Sequence, residues 1–364
     1  MLNTEDSTPI MYADILLPSK DLNGNIAFFI QHLNFKLESI YPADNPRVAV
    51  LSGFGIKLEI DTQCDAPSSA IVIDVTEEVM SRLDSDSLVA PNGTQITFRK
   101  PSKIEAKNTP IAFCVNQAKD NDNWITGRAG MLYRDLITER LRGRIIASHI
   151  RIPKGGPVPD SVHYHKVEFQ LIYCLKGWVK VVYEDQGEPF IFSAGDCVIQ
   201  PPEIRHRVLE SGDELEVLEL SLPASHLTCF DHNMTLPNNS FNPSRCFSGT
   251  QFVHHIESQT QWLAQADSTM LLQHTGIGKA TSGLVEIQTL KSAASECAMT
   301  FKPSATAFVF IRSGDIVLTN NQDMKPYQLS SNDAFVLPAG TDVLIEASES
   351  RFELITAIFF DIAK

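Results

Sequence analysis

Nowhere in its 364 residues does this chain hold eighteen uninterrupted apolar residues, so a conventional membrane-spanning helix is not expected. Basic charge is scarce: 30 Lys and Arg stand against 44 Asp and Glu, a formal charge of −14. No basic stripe overcomes that repulsion, so nucleic acid and anionic membranes are not expected partners. The opening MLNTEDSTPIMY has neither a basic n-region nor an apolar h-region, so no secretory leader is expected. Paired cysteine spacing is missing as well. The seven cysteines are an odd number and fit reduced thiols in a cytoplasm. What remains is ordinary for a globular protein, with 43% hydrophobic residues and enough length for two or three full cores.

Against that background the segment VHYH stands out. His163 and His165 are two apart, and residues i and i+2 of a strand point to one face about 6.6 Å apart. Gln170 follows five residues later, which on an unbroken strand would face the other way, so a bend within residues 166–169 must turn it inward. Gly177, Gly195 and Pro201 then mark turns and a strand end before His206. Three imidazoles and one neutral amide make an N/O site suited to a divalent Fe, Mn, Ni, Zn or Cu ion, with little to choose among them. A lone histidine is most often structural. Three converging in an apolar barrel would be costly to desolvate without a shared partner. His254 and His255, adjacent and so facing opposite ways, are read as structural or solvated, as are His32, His149, His226, His232 and His274.

The order of these residues resembles the cupin family, whose motifs run G-x5-H-x-H-x(3,4)-E-x6-G and G-x5-P-x-G-x2-H. Here Gly155 or Gly156, His163, His165, Gln170 and Gly177 match the first. Gly195, Pro201 and His206 match the second, with Glu203 where glycine is usual. The resemblance implies a jelly-roll barrel with a metal held by His163, His165, Gln170 and His206. The sequence departs from the pattern at Gln170, where glutamate is usual; an amide leaves the ion's full charge to act on water or substrate. Glu168 is the other candidate carboxylate.

A second copy follows. Gly177, Asp196 and Pro201 recur as Gly314, Asp333 and Pro338, each 137 positions on, and the segment before them repeats at an offset of 139. The same shift carries the ligands onto Thr300, Lys302, Ala307 and Val343, which cannot hold a metal in the same way. The second barrel is therefore expected to serve as a packing partner that covers a sheet edge of the first, with a substrate-lid role as the alternative.

Residues 1–110 follow another pattern. A strand through ILLP, a helix with Leu22, Ile26, Phe29, Ile30 and Leu33 on one face, and strands at FKLESIYP, RVAVLS and IKLEI give a βαβββ order. This resembles one module of the glyoxalase/bleomycin-resistance family, also called vicinal oxygen chelate. A shorter second module ends in a hairpin at Pro91-Asn92-Gly93. Asp14 and Thr97 fall where that family places metal ligands; Asp14 is a weak ligand and Thr97 none, so no metal is expected there.

The expected fold is thus mainly β, with two cupin barrels in tandem after a small α+β domain. Residues 1–110 form that domain, 125–223 the metal-binding barrel, 224–262 a linker in which FVHHI could add a strand, and 263–364 the degenerate barrel. For chemistry, Glu168, Tyr173 and Glu203 are the candidate proton carriers. Ile172 and Cys174, on the face of Gln170, are expected to line the pocket. One of Arg140, Arg142, Arg144, Arg151 and Lys154, with Arg205 and Arg207 beside His206, is expected to clamp a substrate carboxylate, Arg151 first among them; a solvated sheet face is the other reading of that stretch. The implied function is a metal-dependent enzyme acting on a small oxygenated or carboxylated molecule. An iron dioxygenase leads, with a Mn, Ni or Zn isomerase, lyase or hydrolase and a non-catalytic binding cupin as alternatives. Family habit adds a homodimer.

Overall fold

The computed structural model describes residues 14–42, 45–100, 111–137, 140–265, 269–322, 324–348 and 350–360. The expected leader-free start and the connection at 101–110 lie outside them. The chain divides into two compact units at 103/104.

In the first unit, strand Ile15–Pro18 runs parallel to Ile56–Asp61, followed across the sheet by Val48–Gly53 and Lys36–Tyr41. Helix Leu22–Leu33 begins where the Asp21 carboxylate accepts from the Gly24 amide at 2.9 Å and ends at Asn34 in the left-handed region, as caps require. Leu22, Phe29 and Leu33 are buried, whereas Ile30, expected on the same face, is 38% exposed. A smaller sheet pairs Ala70–Asp74 with Gln95–Arg99 and Ser87–Val89. Asn25, fully buried, ties the two sheets: it donates to Ser19 Oγ and accepts from the Asn92 amide.

The second unit is built twice from one plan. Its first seven-stranded sheet runs Val253–His255, Cys197–Ile199, Phe169–Lys176, Leu215–Leu222, Ile146–Ile152, Leu132–Asp135, Ile125–Thr126. Its second runs Cys114–Asn116, Ala334–Leu337, Thr306–Ser313, Glu353–Phe359, Val285–Ser292, Met270–His274, Leu263–Ala264. Each sheet faces a smaller one to form a barrel. In the first barrel this partner holds Phe190–Ser193, Trp178–Tyr183, His206–Ser211, His163–His165 and Thr228–Phe230; in the second it holds Ala298–Phe301, Val343–Ala347, Ile316–Asn320 and Pro326–Leu329. Gly177 and Gly314 turn the equivalent corners with φ of 78° and 82°, a region that suits glycine.

The outermost strands are exchanged. Cys114–Asn116, which precedes the first barrel, pairs with the second barrel's Ala334–Leu337, and Val253–His255, which precedes the second, pairs with the first barrel's Cys197–Ile199. Matching carboxylates fix both: Asp333 accepts from the Ala118 amide at 2.6 Å and Asp196 from the Glu257 amide at 2.9 Å. The outer faces of the two large sheets also share one core, in which Leu171, Tyr173, Leu218 and Leu220 meet Ile287, Phe308, Phe310 and Ala357. The expected packing partner is therefore joined by both a sheet face and a mutual strand exchange. Residues 224–262, expected as a linker, supply two strands to the first barrel, since Thr228–Phe230 pairs with His163–His165.

Candidate metal centre

His163 stands on its strand directly opposite His206, and His165 follows two residues on. Candidate ligand atoms of the three lie within 4.8 Å of one another, with ring centroids 4.2 Å apart for His163 and His206 and 5.2 Å for each of the other pairs. His163 and His206 are buried at 0% and 3% exposure, and His165 is half-buried. Each ring is held through Nδ1. His163 donates to the Ser161 carbonyl at 2.8 Å, His206 to the Ile204 carbonyl at 3.0 Å, and His165 Nδ1 meets Thr228 Oγ1 at 2.9 Å. A carbonyl only accepts, so in the neutral ring the Nδ1 proton is fixed and Nε2 keeps the lone pair a metal takes. Asp160, held by the Ser161 and Val208 amides, stands 3.5 Å from His163 Nδ1.

Gln170 joins the same cavity because the strand stops at His165 and another starts at Phe169. Its Nε2 donates to Glu219 Oε1 at 2.9 Å, and its buried Oε1 has no hydrogen-bond partner. Glu219 also accepts from Ser221 Oγ at 3.0 Å. An amide whose nitrogen is committed to a carboxylate and whose buried oxygen is orphaned fits a fourth neutral donor, because such an oxygen is costly unless something accepts its lone pairs. The donor set therefore fits a divalent transition metal.

A cavity of about 510 Å³ adjoins the triad, lined by Ile150, Ile172, Val181, Phe192 and Val217 along with Gln170, Glu219, His165 and His206. Tyr183 stacks on His206 at 5.5 Å and accepts from Gln200 Nε2 at 2.9 Å; burial pushes its phenol well up, so it stays protonated.

Of the other expected site residues, Ile172 reaches the cavity, as does Arg140 from the arginine-rich stretch. Cys174 shares its face but lies deeper in the barrel core, where burial raises its thiol to about 12. Tyr173, between them, points the opposite way into the core shared by the barrels, 3.4 Å from Thr289 and Arg312. Strand alternation likewise turns Arg151 outward from between Ile150 and Ile152; it pairs with Glu216 at 3.2 Å and lies over Trp124. Glu168 and Glu203 line a separate groove of about 450 Å³ with Ser248 and Ser282. Glu203 there adopts φ 61°, a glycine-like conformation at the position where glycine was expected. Glu219 and His226, which does line the cavity, were missed. Parity from Gln170 would not have found Glu219, which sits on a strand distant in sequence.

In the second barrel the equivalent positions are filled with carbon. Val343 pairs with Phe301, one residue beyond the expected Thr300, which is exposed. Phe301, Val343 and Ala307 pack into that barrel's core, and Lys302 is exposed.

A family model described as the cupin domain matches residues 148–222. No curated protein is matched by the sequence. Among solved structures, the chain is similar to a mutant of Bacillus subtilis oxalate decarboxylase (10% identity, TM-score 0.51, covering 72% of this chain and 80% of that one). It is similar to the Lactobacillus farciminis oxalate decarboxylase formate complex (10%, 0.52, 69% and 87%) and to protein Ylba from E. coli (13%, 0.51, 78% and 97%). These likenesses give the fold: mainly β, with tandem jelly-roll barrels of cupin type.

Proposed function

We propose that the first barrel is a metal-dependent enzyme site acting on a small oxygenated or carboxylated molecule, with oxidation by dioxygen at iron as its reaction. The observation that carries this reading is an all-neutral donor set, three imidazoles and an amide oxygen, beside an apolar cavity. When bound, the metal supplies a positive centre that attracts an oxygen donor of the substrate and, as iron, exchanges electrons with dioxygen. His163, His165, Gln170 and His206 hold it. Glu219 fixes the Gln170 amide so that its oxygen stays turned from the carboxylate. Ile150, Ile172, Val181, Phe192 and Val217 exclude water and receive the apolar body of the substrate.

A second reading rests on Glu219, a carboxylate inside the cavity. It supports proton transfer on a substrate polarised by a redox-inert ion, as in an isomerase, lyase or hydrolase. Elemental analysis paired with oxygen uptake on β-diketones, catechols and keto acids separates the two. Iron with substrate-linked uptake supports the oxygenase. Zinc, manganese or nickel without uptake supports the second reading, and a chain purified without metal overturns both.

A further inference from the structure

The cavity beside the triad has a second pole. Register across the large sheet sets Glu219 opposite Ser148 and Ser148 opposite Asp135, and all three line the cavity. They form one polar row over three neighbouring strands, so Asp135 lies about 10 Å from Glu219. The next rows inward are apolar, with Val217 opposite Ile150 and Leu215 opposite Ile152.

Arg140 stands beside Asp135 at the open edge of the polar row, each side chain 45% exposed. Among the described residues that line the cavity it is the only arginine or lysine, and it grips Asp135 with two bonds, Nε to Oδ2 at 3.0 Å and Nη2 to Oδ1 at 3.4 Å. Its backbone is unusual. Arg140, Leu141 and Arg142 have φ of 49°, 45° and 61°, a left-handed turn built without glycine until Gly143. Such a turn persists only where its surroundings enforce it. Here Leu141 is buried in the core shared by the barrels, and the Gly143 carbonyl accepts from the Ala224 amide. At the equivalent corner of the second barrel Ile277–Ala280 is helical, and positive φ is found only at Gly276 before it and at Ser282 and Gly283 after it. Among the described residues, a left-handed run of three non-glycine residues occurs only in the barrel with the triad, and it places the arginine at the cavity.

We propose that the substrate is bifunctional. An oxygen-donor head meets the triad, an apolar middle lies over the aliphatic rows, and a terminal carboxylate at the Asp135 end of the polar row takes the Arg140 fork from Asp135. A neutral tail cannot make that exchange, because only an anion replaces a carboxylate on a guanidinium without leaving the charge unpaired. The proposal rests on the metal reading above.

Calorimetry on the zinc-loaded full chain tests it, with 2-oxooctanedioate and 2-oxooctanoate as probes that share a head and differ in the tail. The diacid is expected to bind at least about tenfold more tightly. Arg140→Gly removes the fork while suiting the left-handed backbone, so the fold is kept; it should reduce the preference to about twofold or less with the monoacid unchanged. Asp135→Asn should tighten the diacid. Equal affinities, no binding of either acid, or a preference that survives Arg140→Gly would overturn the proposal. Zinc content of the same samples separates the failures. Full zinc without a preference refutes the bifunctional substrate alone, whereas a wild-type chain that takes up no zinc refutes the metal reading beneath it.

Discussion

Where the first barrel sets His206 against His163, the second sets Val343 against Phe301, although the large sheets share one strand order with an exchanged edge strand each, and Gly177 and Gly314 turn equivalent corners. Trp124 lies over Arg151 in one barrel, and Trp262 over Lys291 in the other. The repeat has kept what holds the two barrels together and has parted at what faces inward. A barrel interior is stable either as packed hydrocarbon or as a polar cluster with every group satisfied. Each copy has taken one of these solutions.

The sharpest way to break the comparison is to empty the polar barrel. His163→Ala/His165→Ala should abolish metal binding while far-UV circular dichroism keeps its β signature, because the apolar barrel and the shared core are untouched; stoichiometric metal in that variant would refute the ligand assignment. Glu219→Gln acts one step back. It replaces the carboxylate that orients the Gln170 amide, and a loss of about tenfold in metal affinity is expected, read by chelator competition. An unchanged affinity would remove Gln170 from the donor set.

Two further tests ask whether the barrels are alike where they should be. Asp196 and Asp333 each accept two backbone amides, from Ser193 and Glu257 and from Ser330 and Ala118. Alanine at either site should cost about 2 kcal/mol in denaturant unfolding, and a large inequality between the two would mean that the strand exchange is not symmetric. The smallest effect concerns His149, wholly buried, with Arg134 donating to its Nδ1 and its Nε2 donating to Glu216. Burial lowers its pKa below 6.5. The unfolded chain then binds the proton more readily, so stability is full above about 6.5 and falls as pH drops through the window beneath it. Gln288 holds the equivalent position in the second barrel. His149→Gln should therefore flatten the fall in Tm of the metal-free chain between about pH 7 and pH 5; an unchanged slope would place the proton elsewhere, with His254 and His255 the next candidates, since burial lowers both.

The repeat could be read in the sequence because tight corners restrict residue choice: Gly177 and Gly314 take positive φ, and Asp196 and Asp333 close the next pair of equivalent turns by accepting from the Ser193 and Ser330 amides. The triad was legible for a related reason, since strand parity puts His163 and His165 on one face. Parity also carried the information that Tyr173 and Arg151 point away from the cavity, because each lies between residues that face inward. The exchange of the edge strands was hidden, although FVHHI could be read as one of them. Each is three residues long, too short for a periodic signal, and pairs with a strand from the other copy. Glu219 was hidden by distance, and so was the choice of Arg140 over Arg151 among the candidate arginines. The place of Glu219 and Arg140 beside the triad follows from a register across the sheet that no local spacing encodes.

The most direct test of the central claim, one metal-binding barrel beside one filled with carbon, is the metal content of the full chain purified without a chelating column. One divalent transition metal ion per chain, lost in His206→Ala and retained in Val343→Ala, is the expected result. No metal, or two ions per chain, would contradict it.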